Sequence, residues 1–151
     1  MNIPSRNFSN VAARIAASLF ALGSTVGAVS SASAASLTVE IKGAVGDKGT
    51  VKVALYTKGD PWLGKPSAGR SAEAKKADLV FVFDDLTEGE YAISMFIDEN
   101  NNGKLDRNMI GIPTEPSIFS NDATGNFGPP TFDQAKFTVG KEKKSIAINL
   151  K

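Results

Sequence analysis

Residues 37–42 read Leu37-Thr38-Val39-Glu40-Ile41-Lys42, and this alternation of apolar and polar side chains decides the fold class. Successive side chains of a β-strand point to opposite faces, so the pattern predicts a strand with one buried face and one wet face. Residues 51–56, 137–139 and 145–150 repeat the alternation, and residues 91–97 add a further strand candidate. The sequence therefore predicts an all-β chain.

Two further segments refine the prediction. Residues 79–83 form a continuous apolar run, which is typical of a central strand. Residues 71–77 are rich in Ala, Glu and Lys and give the only helical signal. About six short strands separated by turns favour a single small β-sandwich. Two long connections, at residues 58–76 and 98–134, interrupt the regular spacing, and loops of that length are uncommon without a specific role.

The first 34 residues have the three parts of a cleaved signal peptide. Arg6 and Arg14 make a positive start, residues 15–29 are mostly apolar, and Ala32-Ser33-Ala34 offers small residues for cleavage before Ala35. An uncleaved anchor is disfavoured because the apolar run is shorter than the ~20 residues that span a bilayer. We therefore expect a signal peptide at residues 1–34 and one domain at residues 35–151, exported to the periplasm or secreted.

Composition excludes several classes of function. Without Arg6 and Arg14, 15 of the 17 basic residues remain against 16 acidic ones, a net charge of −1. That balance gives no electrostatic case for binding nucleic acid. Cysteine is absent, so disulfides cannot stabilise the domain. Histidine is absent as well, which excludes a Ser-His-Asp triad, a histidine general base and the usual zinc sites.

Residues 98–106, with the sequence DENNNGKLD, resemble the start of an EF-hand calcium loop. Oxygen-bearing side chains stand at positions 1, 3, 5 and 9, a glycine stands at position 6, and position 7 offers a backbone carbonyl. The candidate ligands are Asp98, Asn100, Asn102 and Asp106, with the carbonyl of Lys104. Position 12 is Met109 instead of a bidentate Glu, so we expect weak calcium binding, with Glu115 as a candidate replacement. The competing interpretation is a polar turn without metal, since Asn, Asp and Gly also dominate turns.

The same loop carries a family resemblance. Together with residues 111–115, 119–121 and 127–132 (GIPTE, FSN and FGPPTF), it resembles a family of exported bacterial proteins catalogued as domain of unknown function 2141. The resemblance extends over nearly all of residues 37–151 and departs locally at residues 116–118. It implies a small transthyretin-like or immunoglobulin-like β-sandwich and brings no activity with it. Residues 86–92 also resemble a hairpin of carboxypeptidase-regulatory-type domains, which are usually non-catalytic accessories.

Two function classes remain open. The first is a non-catalytic binding or accessory module with a calcium-ordered loop, whose partner is an extracytoplasmic protein, a glycan or a small ligand. Trp62, Phe119 and Phe127 are its candidate ligand patch, although aromatic residues in loops more often pack against the core. The alternative is a carboxylate-dependent hydrolase acting on a glycan or a similar substrate. It would pair Asp84 or Asp85 with Asp98 or Glu115, because glycosidases need two carboxylates across the scissile bond.

The N-terminal pattern makes a direct prediction about the mature protein. We expect its first residue to be Ala35 or to lie within a few residues of it, because signal peptidase cuts after small residues. The intact mass of protein recovered from the periplasmic or culture fraction measures this. Recovery of the full-length chain from the cytoplasm would contradict export.

Overall fold

The computed structural model describes residues 35–43, 46, 48–75 and 77–150. The predicted signal peptide at residues 1–34 lies outside these ranges. The strands are β1 (Ala35–Lys42), β2 (Thr50–Thr57), β3 (Ala68–Glu73), β4 (Leu79–Leu86), β5 (Gly89–Asp98), β6 (Ser117–Phe119), β7 (Phe137–Val139) and β8 (Lys144–Asn149). A 3₁₀ helix at Ser120–Asp122 and the short helix α1 at Phe132–Ala135 complete the elements. The all-β prediction is confirmed.

The strands form two sheets. The smaller sheet has the order β4-β1-β8, in which β1 runs antiparallel to β4 and parallel to β8. The larger sheet has the order β3-β2-β5-β6, and β7 also pairs with β5. Strands β6 and β7 contact different lengths of β5, at residues 94–96 and 89–91 respectively. The predicted two-sheet β-sandwich is therefore confirmed.

The core lies between the sheets and follows from the alternation in sequence. Inward-facing side chains are fully or almost fully buried, while their neighbours along each strand are more exposed. The largest buried side chains include Leu37, Val39, Ile41, Val51, Val53, Leu55, Phe83, Ile93, Met95 and Ile148. Burial of such side chains contributes about 1.5–3 kcal/mol each relative to exposure, which makes this apolar layer the main source of stability.

The prediction that residues 79–83 form a central strand is wrong. Strand β4 is at the edge of the smaller sheet, and β1 occupies the centre. Leu79, Phe81 and Phe83 face the core, whereas Val80 and Val82 are 61% and 42% exposed. A continuous apolar run does not reveal which alternate residues meet water, because valine suits a pleated surface on either face.

The helical signal at residues 71–77 does not correspond to a helix in the described part of that segment. Residues 71–73 of that segment belong to β3, where Ser71 is the register partner of Lys52 in β2. A segment this short cannot nucleate a helix from propensity alone, so pairing with the edge of β2 prevails. The α-helix lies instead in the second long connection, where Thr131 and Gln134 form a capping box at the start of α1. In the described part of the chain, no helix is long and apolar enough to cross a membrane.

Glu90 ties both long connections to β5. Its carboxylate lies 2.7 Å from the Lys58 Nζ and 2.8 Å from the Lys136 Nζ. Lys58 follows β2, and Lys136 lies directly before β7. Hydrogen bonds from Lys136 and Lys58 lower the pKa of Glu90 to about 2, so the carboxylate keeps both partners down to acidic pH.

The position of Phe81 yields a stability prediction. Its side chain is buried in the core, so Phe81→Ala should lower the free energy of unfolding by about 3–5 kcal/mol. Denaturant unfolding measures the loss. The neighbouring variant Val80→Ala is the matched control and should change stability by less than about 0.5 kcal/mol, because Val80 faces solvent. A loss below about 1 kcal/mol for Phe81→Ala would contradict the burial of this face.

Candidate metal loop and adjoining groove

The loop at residues 98–106, called the Asp98 loop below, begins at the last residue of β5. The Asp98 side chain is fully buried, and its Oδ1 accepts the backbone N–H of Asn102 at 3.0 Å. Its Oδ2 accepts the N–H of Gly103 at 2.8 Å and lies 3.8 Å from the Nζ of Lys52. The carboxylate therefore folds the turn back over the end of the strand, and it needs those donors because a buried charge without partners is costly.

The remaining predicted side chains join a second layer of hydrogen bonds. The Oδ1 of Asn100 accepts from the N–H of Asn102, and the Oδ1 of Asn102 accepts from the N–H of Lys104. Both amide groups donate to the carboxylate of Asp106, at 2.6 Å from Asn100 and 2.9 Å from Asn102. Each amide oxygen has two lone pairs, so accepting one N–H leaves capacity to ligate a cation.

The donor set is weak for a metal. Among the residues that the structure describes, no three carboxylate, histidine or cysteine side chains are grouped as a metal site. Met109, at the position of the missing bidentate Glu, projects fully into solvent. A hard cation would therefore depend on two carboxylates, two amides and a carbonyl, which is a set compatible with low calcium affinity.

Glu115 closes the loop. Its buried carboxylate accepts the N–H of Glu99 at 2.9 Å through Oε1 and the N–H of Asp106 at 3.0 Å through Oε2. These donors lie at opposite ends of the Asp98 loop. The residue proposed from sequence as a substitute ligand thus holds the loop backbone in place.

Gly49, directly before β2, also supports the loop. It has a φ of +86°, and a Cβ at this position would overlap the carbonyl of Asp98 and the Cα of Glu99. Next to it, the hydroxyl of Thr50 donates to the Oδ1 of Asn101 at 2.7 Å. The start of β2 therefore packs closely against the loop, and only glycine fits at the contact.

The residues of the predicted ligand patch have different environments in the structure. Trp62 packs against Tyr56, Phe119 and Phe132, with ring centroids 5.0, 6.0 and 5.7 Å away. Its Nε1 donates to the carbonyl of Pro130 at 2.7 Å, so it fastens the first long connection to the second. Phe127, in contrast, is fully exposed, with a φ of +58°.

Ser120, a buried residue of the FSN segment, holds the second connection to β5. The Oγ of Ser120 donates to the carbonyl of Ala135 at 2.6 Å and accepts the N–H of Ile93 at 2.9 Å. The neighbouring Asn121 side chain donates to the carbonyl of Lys136 at 2.7 Å. The FSN segment of the family resemblance thus has a structural role.

A groove of about 1660 Å³ covers the outward face of the larger sheet. Its floor includes Lys52 and Ala54 of β2 and Ser94 and Phe96 of β5. The walls come from three segments and are formed by residues 63, 64 and 66, by residues 107 and 110–113, and by residues 122–125 and 127–130. The Asp98 loop lines one end through residues 103–105, so the candidate metal loop and the groove are contiguous.

Residues 107–113 form a small hairpin directly after the Asp98 loop, called the wall hairpin below. Arg107 bridges to Pro113, and the N–H of Asn108 donates to the carbonyl of Ile112 at 2.9 Å. Ile110 is 79% exposed at its turn. Because the hairpin is tethered through the N–H of Thr114 to the carbonyl of Asp106, its position depends on the order of the loop.

The carboxylate pairing required for a hydrolase does not form. Asp84 and Asp85 are exposed at a bulge near the end of β4, close to the connection that leads into β5. Asp98 is at the opposite end of β5. This strand has ten residues, so at ~3.3 Å per residue Asp98 lies about 30 Å from Asp84 and Asp85. Carboxylates of a glycosidase lie within about 10 Å of each other.

The sequence profile of a bacterial protein family, described as "Uncharacterized protein conserved in bacteria (DUF2141)", matches residues 39–147. The chain belongs to this family. The DUF2141 match spans parts of both sheets, the Asp98 loop and the walls of the groove. A comparison with curated proteins gave no match.

Glu115 provides a stability test of this DUF2141 loop. Glu115→Ala removes the acceptor for two backbone N–H groups, so the free energy of unfolding in chelator should fall by about 1–3 kcal/mol. Glu99→Ala, an exposed acidic residue in the same loop, is the control and should stay within about 0.5 kcal/mol of the parent. Equal stabilities of the two variants in denaturant unfolding would show that Glu115 does not hold the loop.

Proposed function

We propose that this DUF2141 protein is an exported, non-catalytic binding module whose Asp98 loop takes up calcium and so fixes one wall of the groove. The observation that carries the proposal is the contiguity of loop, wall hairpin and groove. It acts in the periplasm or outside the cell, and its partner is an extracytoplasmic protein, a glycan or a small ligand.

Calcium suits the donors that the loop offers. Asp98, Asn100, Asn102 and Asp106 would supply side-chain oxygens, and Lys104 its carbonyl, since hard cations prefer oxygen ligands. Two carboxylates favour the affinity range of extracellular modules, about 10⁻⁴–10⁻³ M. The ammonium of Lys52, 3.8 Å from Asp98, weakens binding further because it repels a second cation.

Binding without catalysis is favoured by the roles of the acidic side chains. Asp98 and Glu115 each accept two backbone N–H groups within the loop. A general acid or base must instead reach a substrate proton at hydrogen-bond distance. Asp84 and Asp85 lie in β4, near the end of β5 that is opposite to Asp98, so the hydrolase alternative has no supporting geometry.

Calcium should raise the melting temperature of the mature protein. If the dissociation constant is about 10⁻⁴–10⁻³ M, binding of calcium at ~10 mM stabilises the native state by about 1.4–2.7 kcal/mol. This corresponds to a rise of several degrees in the melting temperature. Thermal scans in chelator, in calcium and in equimolar magnesium measure the shift. Identical curves for the parent protein in chelator and calcium would favour a polar turn without metal.

The choice of variant follows from the hydrogen bonds. Asp106→Asn should remove the calcium-dependent shift while changing the stability in chelator little, because asparagine keeps the size and one acceptor of the side chain. Asp84→Asn, at the far end of β5, loses the same charge and should keep the full shift. Asp98→Ala is less informative, since it also removes the acceptor of two backbone N–H groups and should destabilise the protein without calcium.

A further inference from the structure

We propose that the groove binds an anionic amphiphile, namely a free long-chain carboxylate. Its acid group would lie at Lys104 and Arg107, and its hydrocarbon chain along the floor of the larger sheet. The proposal rests on the binding role given above and names the class of ligand.

The charges of the groove favour an anion. Four basic residues line it, whereas Asp122 is its only acidic lining residue in the described ranges. Lys52 is already beside Asp98, and the Arg70 guanidinium stacks on Phe83 and donates to backbone carbonyls.

The two remaining cations line the groove from neighbouring segments: Lys104 belongs to the Asp98 loop, and Arg107 directly follows it. Arg107 donates to the carbonyl of Gly111, and within the described residues no carboxylate lies within 4.0 Å of the charged group of Lys104 or Arg107. Their charges are therefore available to a carboxylate, which guanidinium groups bind in a bidentate manner.

The rest of the groove is shaped for a hydrocarbon chain. The floor carries small side chains at Ala54, Ser71 and Ser94, so an elongated ligand can lie close to the sheet. Lys52 and Tyr56 mark the two ends of the β2 floor, four residues or about 13 Å apart. One end is therefore cationic, and the other is closed by the aromatic cluster around Trp62.

The walls distinguish an acyl chain from a sugar. Leu63, Ile110 and Ile112 are aliphatic, and several prolines accompany them. Aside from Asp122, Asn149 is the only described lining residue with a carboxylate or carboxamide side chain. Sugar hydroxyls need many such partners, because polar groups that lose water without hydrogen bonds reduce affinity. Methylene groups gain free energy from aliphatic contact alone.

Phe127 adds an apolar contact at the rim. It lies between Gly125 and Gly128 in a left-handed conformation that bulky residues rarely adopt. The tight turn leaves its ring at full exposure beside the groove. Strained residues of this kind cluster at ligand clamps, and an acyl chain would cover the ring.

Hexadecanoate is the probe, used below its micellar concentration with protein purified from the exported fraction. Trp62 is the sole tryptophan, so its emission reports binding at the aromatic end of the groove. Titrations are run in chelator, because calcium precipitates long-chain carboxylates. The hydrogen bonds accepted by Asp98 and Glu115 already hold the loop that carries this wall, so ligand binding does not require calcium. We expect saturable binding of hexadecanoate, at least tenfold weaker binding of hexadecanol, and no binding of acetate.

The double variant Lys104→Gln/Arg107→Gln should weaken hexadecanoate binding at least tenfold and leave hexadecanol unchanged. Lys143→Gln, an exposed lysine outside the groove, is the control and should bind like the parent. Ser71→Phe should obstruct the floor, whereas Val80→Phe, on the edge strand of the other sheet, should not. Calorimetry measures these affinities, and thermal scans verify that each variant is folded.

Three outcomes would overturn the proposal of an amphiphilic ligand: no binding of hexadecanoate, equal binding of hexadecanol, or an unchanged affinity of the double variant for hexadecanoate. Association only with vesicles of anionic phospholipid would also overturn it, in favour of a membrane surface. The calcium proposal is tested separately by thermal scans without amphiphile. A calcium shift without hexadecanoate binding would refute this ligand alone, and hexadecanoate binding without a calcium shift would refute the metal alone.

Discussion

The buried carboxylate of Asp98 is the constraint on which one end of the molecule depends. A charge fully removed from solvent must be met by donors, and the backbone of the following turn supplies two. Once that turn is folded, Glu115 joins its two ends and the wall hairpin follows from it. The order of the groove wall therefore originates in hydrogen bonds to two acidic side chains.

Strand β5 connects this ordered loop to the rest of the fold. It pairs with β2 along its length, and β6 and β7 divide its other edge between them. Ser120 and Glu90 attach the second connection to the same strand. Ser120 and Asn121, which belong to the family resemblance, thus support the scaffold on which the groove is built.

Much of the fold could be predicted because alternation directly reflects a half-buried strand. It located β1, β2, β5 and β8 to within a few residues. The apolar run of β4 carried no such information, since edge and central strands can share a composition. The contacts of Asn100 and Asn102 with Asp106 could be expected from their spacing, whereas the roles of Gly49 and Glu115 depend on contacts between distant segments. The groove could not be predicted because segments far apart in the sequence form it together.

The parallel pairing of β1 with β8 has a kinetic consequence. Register partners such as Val39 and Ile146 are separated by more than a hundred residues, so the smaller sheet cannot close until almost the whole chain has been synthesised. Such a contact order favours slow folding, because the entropy of a long loop must be lost before the pairing contributes. The two-sheet core thus remains incomplete while the chain emerges from the ribosome, which is the state in which a polypeptide can still be threaded through a narrow channel.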